Sequence, residues 1–285
     1  MGDRYLDRIR DLPVMPEVAA KVINLTEGKL EISFKELEAI IKVDPGLTAK
    51  ILKIANSALY ARQREIKSLQ MAIMLLGFKN IKSLVLLITA SNLFPRMRIS
   101  VFHKTYWKHG ILSAFISKSL AVRCGRSEAA EEAFIAGLLH DIGQAALFTA
   151  APAEYGQALE AEKLGALLLE TIEEQMFNVN HRQIGGALLK KWNFPVPFVD
   201  VALEHESLNI TSVHKSFVIL VSVACMLAEW LEAGALPPLK EDLFQQLLPY
   251  TCLGAADVPA LTATYSAELR QDRLFQEYQV LFDLA

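Results

Sequence analysis

His140 and Asp141 stand side by side where an apolar stretch ends, in the run FIAGLLHDIGQ from Phe134 to Gln144. A neutral imidazole offers a nitrogen donor of borderline softness and a carboxylate offers hard oxygens, so the pair suits a divalent transition metal. Adjacent side chains on a regular helix point about 100° apart. The two can therefore grip one ion only where the helix meets a pocket. The chain has six histidines, and His109, His181 and His205 lie on further helical segments that could converge on the same place. A metal held there would lower the pKa of a bound water and supply hydroxide as a nucleophile near neutral pH. Without turnover, the same cluster would be a binding site.

These residues need helices to carry them, and the sequence is full of helix starts and stops. Pro13 and Pro16 precede an amphipathic segment, Glu17 to Glu27, ended by Gly28. Ser33 with Glu36 makes a capping box for Phe34 to Val43. Asp44-Pro45 supplies an N-cap and a proline at the first position of a helix through Asn56. Ser68 starts a helix that Gly77 closes, and residues 80–94 form another, stopped at Pro95. A long helix carries His109 to Gly125, and Ser127 caps the next one, which carries His140. Pro152 opens a short helix before Gly165, and Asn180 with Gln183 caps the helix that starts at His181. Pro195 and Pro197 start the helix that ends near His205. Gly185 and Gly186 sit inside a helical pattern, where glycine costs about 1 kcal/mol, and are read as points of close helix approach. Trp192 is read as core. Residues 213–233 form the last strongly apolar helix, and 236–285 is a mixed tail. A run such as VILVSVA has strand propensity but no partner strand or hairpin turn. The expectation is an all-α protein with two packed subdomains, residues 1–98 and 99–285, the second carrying a helical tail.

Composition narrows the setting. At 285 residues and 52% hydrophobic, the chain can bury a substantial core. Its three cysteines form no CxxC pair, which predicts a reducing compartment and no disulfide framework. The N-terminus, MGDRYLDRIRDLP, has no apolar signal core. The longest apolar run, from Phe217 to Ala228, is about a dozen residues, short of the roughly 20 that span a bilayer. A cytoplasmic protein with no membrane contact is expected. Residues 1–108 hold 18 Lys+Arg against 10 Asp+Glu, a net +8, and residues 109–285 hold 11 against 22, a net −11. No aromatic-interleaved basic run accompanies the positive half, so a nucleic-acid partner is not expected.

Three pieces of the first half resemble the HDOD family of bacterial signalling domains: LPVMPEVAAKVINL (12–25), IIKVDPGLTAKILKIANSALY (40–60) and IKSLQMAIMLLGFKNIKSLVL (66–86). The resemblance covers roughly residues 6–230. It implies a helical N-terminal subdomain packed on a degenerate HD-type helical core, acting in signal transduction through a signalling protein partner. The Asp44-Pro45 and Asn56-Ser57 pairs at its centre are explained as helix caps.

The second half resembles the HD superfamily of metal-dependent phosphohydrolases, above all its HD-GYP branch. On that resemblance His109 matches the leading histidine, His140 and Asp141 the namesake pair, and His181 the histidine before the family's glycine and helix. Glu204-His205-Glu206 falls where the branch has His-His-Glu, so His205 is carried over and Glu204 replaces a histidine. The implied ligands are His109, His140, Asp141, His181 and His205, around iron, manganese or zinc. Three departures stand out. Gln144 replaces a lysine, no Gly-Tyr-Pro is present, and Cys225 stands where a closing aspartate is expected. The expectation is therefore a regulatory binding module with no catalytic residues assigned. The alternatives are a metal-dependent phosphohydrolase acting on a nucleotide or phosphoester, and a DNA-binding regulator using the basic first half. Arg182, Lys190 and Lys191 are the cations the sequence offers to an ester. His103 and His214 match nothing and are read as surface or hydrogen-bonded residues.

Overall fold

The structure, a computed structural model, describes residues 14–24, 34–57, 65–95, 97, 100–282 and 284. Among these residues every regular element is a helix and no strand occurs. The first block comprises α1 (Glu17–Asn24), α2 (Phe34–Ile41), α3 (Pro45–Ala55), α4 (Leu69–Leu76) and α5 (Phe78–Leu93). The Asp44 carboxylate accepts from the Leu47 N–H at 2.9 Å and caps α3, with Pro45 in the first turn. Asn56 ends α3 and pins the returning chain. Its amide donates to the Leu52 and Ile66 carbonyls at 3.0 and 2.8 Å, and its oxygen accepts from the Ile66 N–H at 2.8 Å. Ser68 caps α4, accepting from the Met71 N–H at 3.2 Å. Gly77 (φ +85°) separates α4 from α5 in a backbone region that a side chain disfavours. Ser33, expected to cap α2, and Gly28, expected to end α1, lie outside the described residues.

The second block comprises α6 (Val101–Arg123), α7 (Ala130–Leu139), α8 (Ile142–Ala150), α9 (Pro152–Lys163), α10 (Leu169–Phe177), α11 (His181–Lys191), α12 (Val196–Glu204) and α13 (Lys215–Ala233). Ser127 opens a 3-10 turn, Ser127–Ala129, instead of capping α7 with its side chain. The capping box at α11 forms as expected: Gln183 N–H donates to Asn180 at 3.0 Å and Asn180 N–H to Gln183 at 3.2 Å. The tail folds into α14 (Pro238–Leu247), α15 (Val258–Gln271) and α16 (Arg273–Leu281). It docks on α6 through aromatic side chains. Phe282 packs on Trp107 with ring centroids 4.7 Å apart, and Phe275 on Phe115 at 5.3 Å.

The centre of the molecule is α6, α7 and α13. Every residue of α13 from Val218 to Ala228 is buried, as befits a helix apolar on all faces. The first block joins this centre where α5 lies against α7. One buried hydrophobic cluster extends from Met15 to Phe282.

Two readings of the sequence are corrected. Two helical stretches, Ser127–Ala150 and Lys215–Ala233, are long and apolar enough to cross a membrane, with mean hydropathy 1.3 and 1.8. Counting an unbroken apolar run missed them because a helix accommodates isolated polar residues. In the fold, 83% and 61% of these windows is buried within the protein. Cys124, at the end of α6, also forms a disulfide with Cys252, 128 positions along the chain. Spacing motifs carry no information about cysteines that only tertiary packing brings together. Cys225 is the free, buried cysteine.

Candidate metal centre

The cluster is assembled by close helix contacts. A Cβ on Gly137 would lie 2.7 Å from the Ser113 carbonyl oxygen, so this glycine lets α7 press against α6. That contact sets the rings of His109 and His140 5.3 Å apart. At His140 the backbone is still helical, whereas Asp141 (φ −95°, ψ 14°) is where α7 stops and α8 restarts. The break turns both side chains into one cavity, although they are neighbours in sequence. Gly143 then allows α8 to meet the start of α11, since a Cβ there would sit 1.9 Å from the His181 carbonyl oxygen. His205 arrives at the C-terminus of α12.

The four histidines surround the Asp141 carboxylate. The Nε2 atom of His140 is 3.2 Å from Oδ2, that of His205 is 3.3 Å from Oδ1, that of His181 is 3.6 Å from Oδ1 and that of His109 is 3.8 Å from Oδ2. His140, Asp141, His181 and His205 are buried, and the His109 side chain is 14% exposed. Every Nδ1 is held from behind. His109 meets Glu232 at 3.0 Å, His181 meets Glu173 at 2.6 Å, His140 meets the Gly137 carbonyl at 2.8 Å, and His205 meets the Val201 carbonyl at 3.0 Å. All four partners are acceptors, which places a ring proton on each Nδ1 and turns each Nε2 toward the carboxylate. Carboxylates and carbonyls behind the rings are the supports that metal-binding histidines use.

The arrangement fits a cation. Burial pushes the His205 pKa down to about 4, so its ring is neutral near pH 7. A neutral ring with its proton on Nδ1 sets a lone pair against a carboxylate oxygen, which is repulsive unless a positive charge lies between them. Burial would raise the Asp141 carboxyl, but the surrounding histidines hold it well below the usual range, so it stays ionised. Two ligands about 2.1 Å from one ion and 90–110° apart stand roughly 3.0–3.4 Å from each other. The His140 and His205 separations match, and those of His181 and His109 are slightly wider. Burial pulls the His109 pKa down, but Glu232 and Asp141 outweigh it and raise it to about 9.

The cluster lies in a cavity of about 460 Å³. Seven carboxylates line it (Asp141, Glu160, Glu162, Glu170, Glu206, Glu229 and Glu232) against two lysines, Lys163 and Lys240. This accounts for part of the acidic excess in residues 109–285. Lys163 pairs with Glu160 at 2.6 Å. Lys240, from α14, pairs with Glu206 at 2.8 Å and with Glu229. Of the cations the sequence offered, Arg182 binds Glu170 at 2.7 Å and the Glu206 carbonyl at 3.3 Å, and Lys190 and Lys191 are exposed. Gln144 lines the cavity as a neutral residue. The Cys225 thiol donates to Glu206 at 3.1 Å and lies 3.3 Å from Nε2 of both His109 and His140. Burial, then the nearby carboxylates, pushes its pKa well up, so the thiol keeps its proton. Outside the cluster, His214 pairs with Asp200 at 2.8 Å, His103 lies edge-on to Trp107 and tilted to Phe282, and Trp192 is buried.

Several residues of the site escaped the sequence reading. Glu229 and Glu232 follow Cys225, which the sequence reading did name, at helical spacing on one face of α13, and that polar stripe on an apolar helix was a usable signal. Glu173 had none, because packing alone distinguishes it from its neighbour Glu174. Fully buried, it accepts from the His181 N–H at 2.7 Å and from the Tyr155 hydroxyl at 2.6 Å. Nothing in the tail sequence singled out Lys240.

The HDOD domain model matches residues 12–208, and the chain belongs to that family. A solved HDOD domain protein of unknown function from Geobacter sulfurreducens is 20% identical, with a TM-score of 0.73 over 97% of this chain and 98% of that one. A protein of Shewanella amazonensis, provisionally named a phosphohydrolase, is also 20% identical, with a TM-score of 0.73 over 100% and 99% of the two chains. One of Marinobacter aquaeolei, provisionally named a signal transduction protein, is 19% identical, with a TM-score of 0.67 over 93% of this chain and 65% of that one. These likenesses show the fold. An uncharacterized protein of Treponema pallidum is 23% identical over 79% of this chain, which spans 44% of that relative's length.

Proposed function

We propose that the protein is a signal-transduction module of the HDOD family whose HD-type pocket binds a metal ion and does not turn over phosphoesters. The ligands are His109, His140, Asp141, His181 and His205. The observation that carries this reading is the set of four Nε2 atoms within 3.8 Å of one carboxylate, each ring braced at Nδ1 by an acceptor. An ion there would supply Lewis acidity, and the nitrogen and oxygen donors suit iron, manganese or zinc. The rest of the pocket opposes an anionic substrate. Carboxylates outnumber lysines seven to two on its walls, and both lysines are paired with glutamates. A phosphoester would meet net negative charge where phosphoryl chemistry needs cationic stabilisation. The signalling role rests on family membership, and its partner in this reading is a signalling protein.

Metal analysis of full-length protein purified without chelators tests the binding reading: metal in simple ratio to the chain supports it, and a metal-free chain after supplementation defeats it. Metal-loaded protein assayed with cyclic dinucleotides and simple phosphoesters should show no turnover above an Asp141→Ala control. Robust hydrolysis lost in that control would make the protein an enzyme.

A further inference from the structure

A second group of donors lies beside the histidine cluster. Oxygens of Glu206 and Glu229 and the Cys225 sulfur all lie within 4.8 Å of one another. Cys225 also belongs to a group with His109 and His140, so the two positions are contiguous through its sulfur. Lys240 points its ammonium at this second position and pairs with both carboxylates. Its side chain is 12% exposed, and that of Glu206 is 6% exposed. Glu206 is positioned at a backbone cost. Its φ is +54°, a left-handed conformation shared among the described non-glycine residues only with Asn178 and Asn193. The hydroxyl of buried Ser222 holds that conformation by accepting from the Glu206 N–H at 3.0 Å. Glu229 keeps its Oε2 buried with no hydrogen-bond partner among the described residues.

Resting on the metal reading above, we propose that the Lys240 ammonium is a built-in surrogate for a second cation and limits the pocket to one metal ion. The charge argument is direct. Two carboxylates side by side, Glu206 buried and Glu229 half-buried with its side chain 21% exposed, need a positive charge, and an ammonium supplies +1 through a tethered side chain where an ion would supply +2. With the ammonium seated, an incoming ion would meet a like charge at contact distance and find both carboxylates already engaged. Lys240 and Glu229 lie beyond residue 208, where the family match ends. The ammonium therefore comes from the tail of this chain, through α14, whereas Glu206, which it neutralises, lies within the matched domain.

The experiment is metal stoichiometry in the full chain. Wild type, Lys240→Met and Lys240→Arg are loaded with Mn²⁺ or Zn²⁺, freed of loose ions by gel filtration, and measured by atomic emission beside the protein concentration. One ion per chain is expected in wild type and Lys240→Arg, and two in Lys240→Met. Adding Glu206→Gln to Lys240→Met should return the count to one. If Lys240→Met is not recovered folded, Lys240→Gln carries the same expectation of a second ion. A single ion in both neutral variants, or two in wild type, overturns the inference and leaves the first metal site standing. No ion in any protein defeats the metal reading, and the inference with it.

Discussion

The two blocks of this molecule use their polar residues differently. In the first block, the polar residues of the family pattern are spent on the backbone. Asp44 and Ser68 cap helices, and Asn56 ties α3 to the strand of chain at Ile66. In the second block, His140, Asp141, Glu173, His181, His205 and Glu206 are buried and face one another. Burying such groups is costly unless they satisfy each other or hold a ligand. Sequence patterns of equal distinctness thus carry different content: the DPGLTAKILKIANS pattern is architecture, whereas the HDIG pattern is architecture and chemistry together.

Substitutions can break this contrast, and Gly143→Ala should do most. The added methyl would be driven into the His181 carbonyl, forcing α8 from α11, and we expect a stability loss of about 4 kcal/mol in urea unfolding. A loss under about 1 kcal/mol would mean that the HDIG glycine is not the hinge of the site. Asp141→Ala should come next, lowering metal affinity by more than ~100-fold, since losing even a supporting residue costs 10–100-fold. Glu173→Gln should fall in that 10–100-fold range by loosening His181, with the far-ultraviolet spectrum unchanged. Competition with a chromophoric chelator measures both.

Asp44→Ala is the reverse experiment. It should cost about 1 kcal/mol through the lost cap and leave metal affinity untouched. A tenfold change in affinity would show that the first block takes part in the pocket. The smallest effect concerns pH. Burial, partly offset by Lys240, raises the Glu162 pKa to about 7 from 4.5. The native state then binds more protons than the unfolded state between these values. Stability from this group is full below pH 4.5 and is lost as pH rises through 7. His109, raised to about 9, adds a decline of the same sign from about pH 6.5 upward. Comparing metal-free Glu162→Gln with wild type isolates the first part: the variant should lose less stability between pH 5 and 8, and parallel curves would remove Glu162 from the account.

Much of this was legible before the fold. The helix starts at Pro45, Leu69 and His181 follow from local side chain–backbone chemistry, which a sequence displays directly. Candidate ligands on four separate helices could be named because residue type and order resemble a known family. What stayed hidden depends on packing between distant segments. Glu173 and Lys240 are ordinary charged residues until the chain closes around them, and Cys124 meets Cys252 only through the docking of the tail on α6.

That disulfide has a consequence for the covalent topology. It closes a ring from residue 124 to 252 that contains His140, Asp141, His181, His205, Cys225 and Lys240, with His109 on the arm just outside. The turn after α9, where Leu164 is 84% exposed, lies on that ring. A protease cutting there would open the ring without dividing the molecule. The nicked protein would migrate as one species until reduced, with the pieces that carry the pocket still joined.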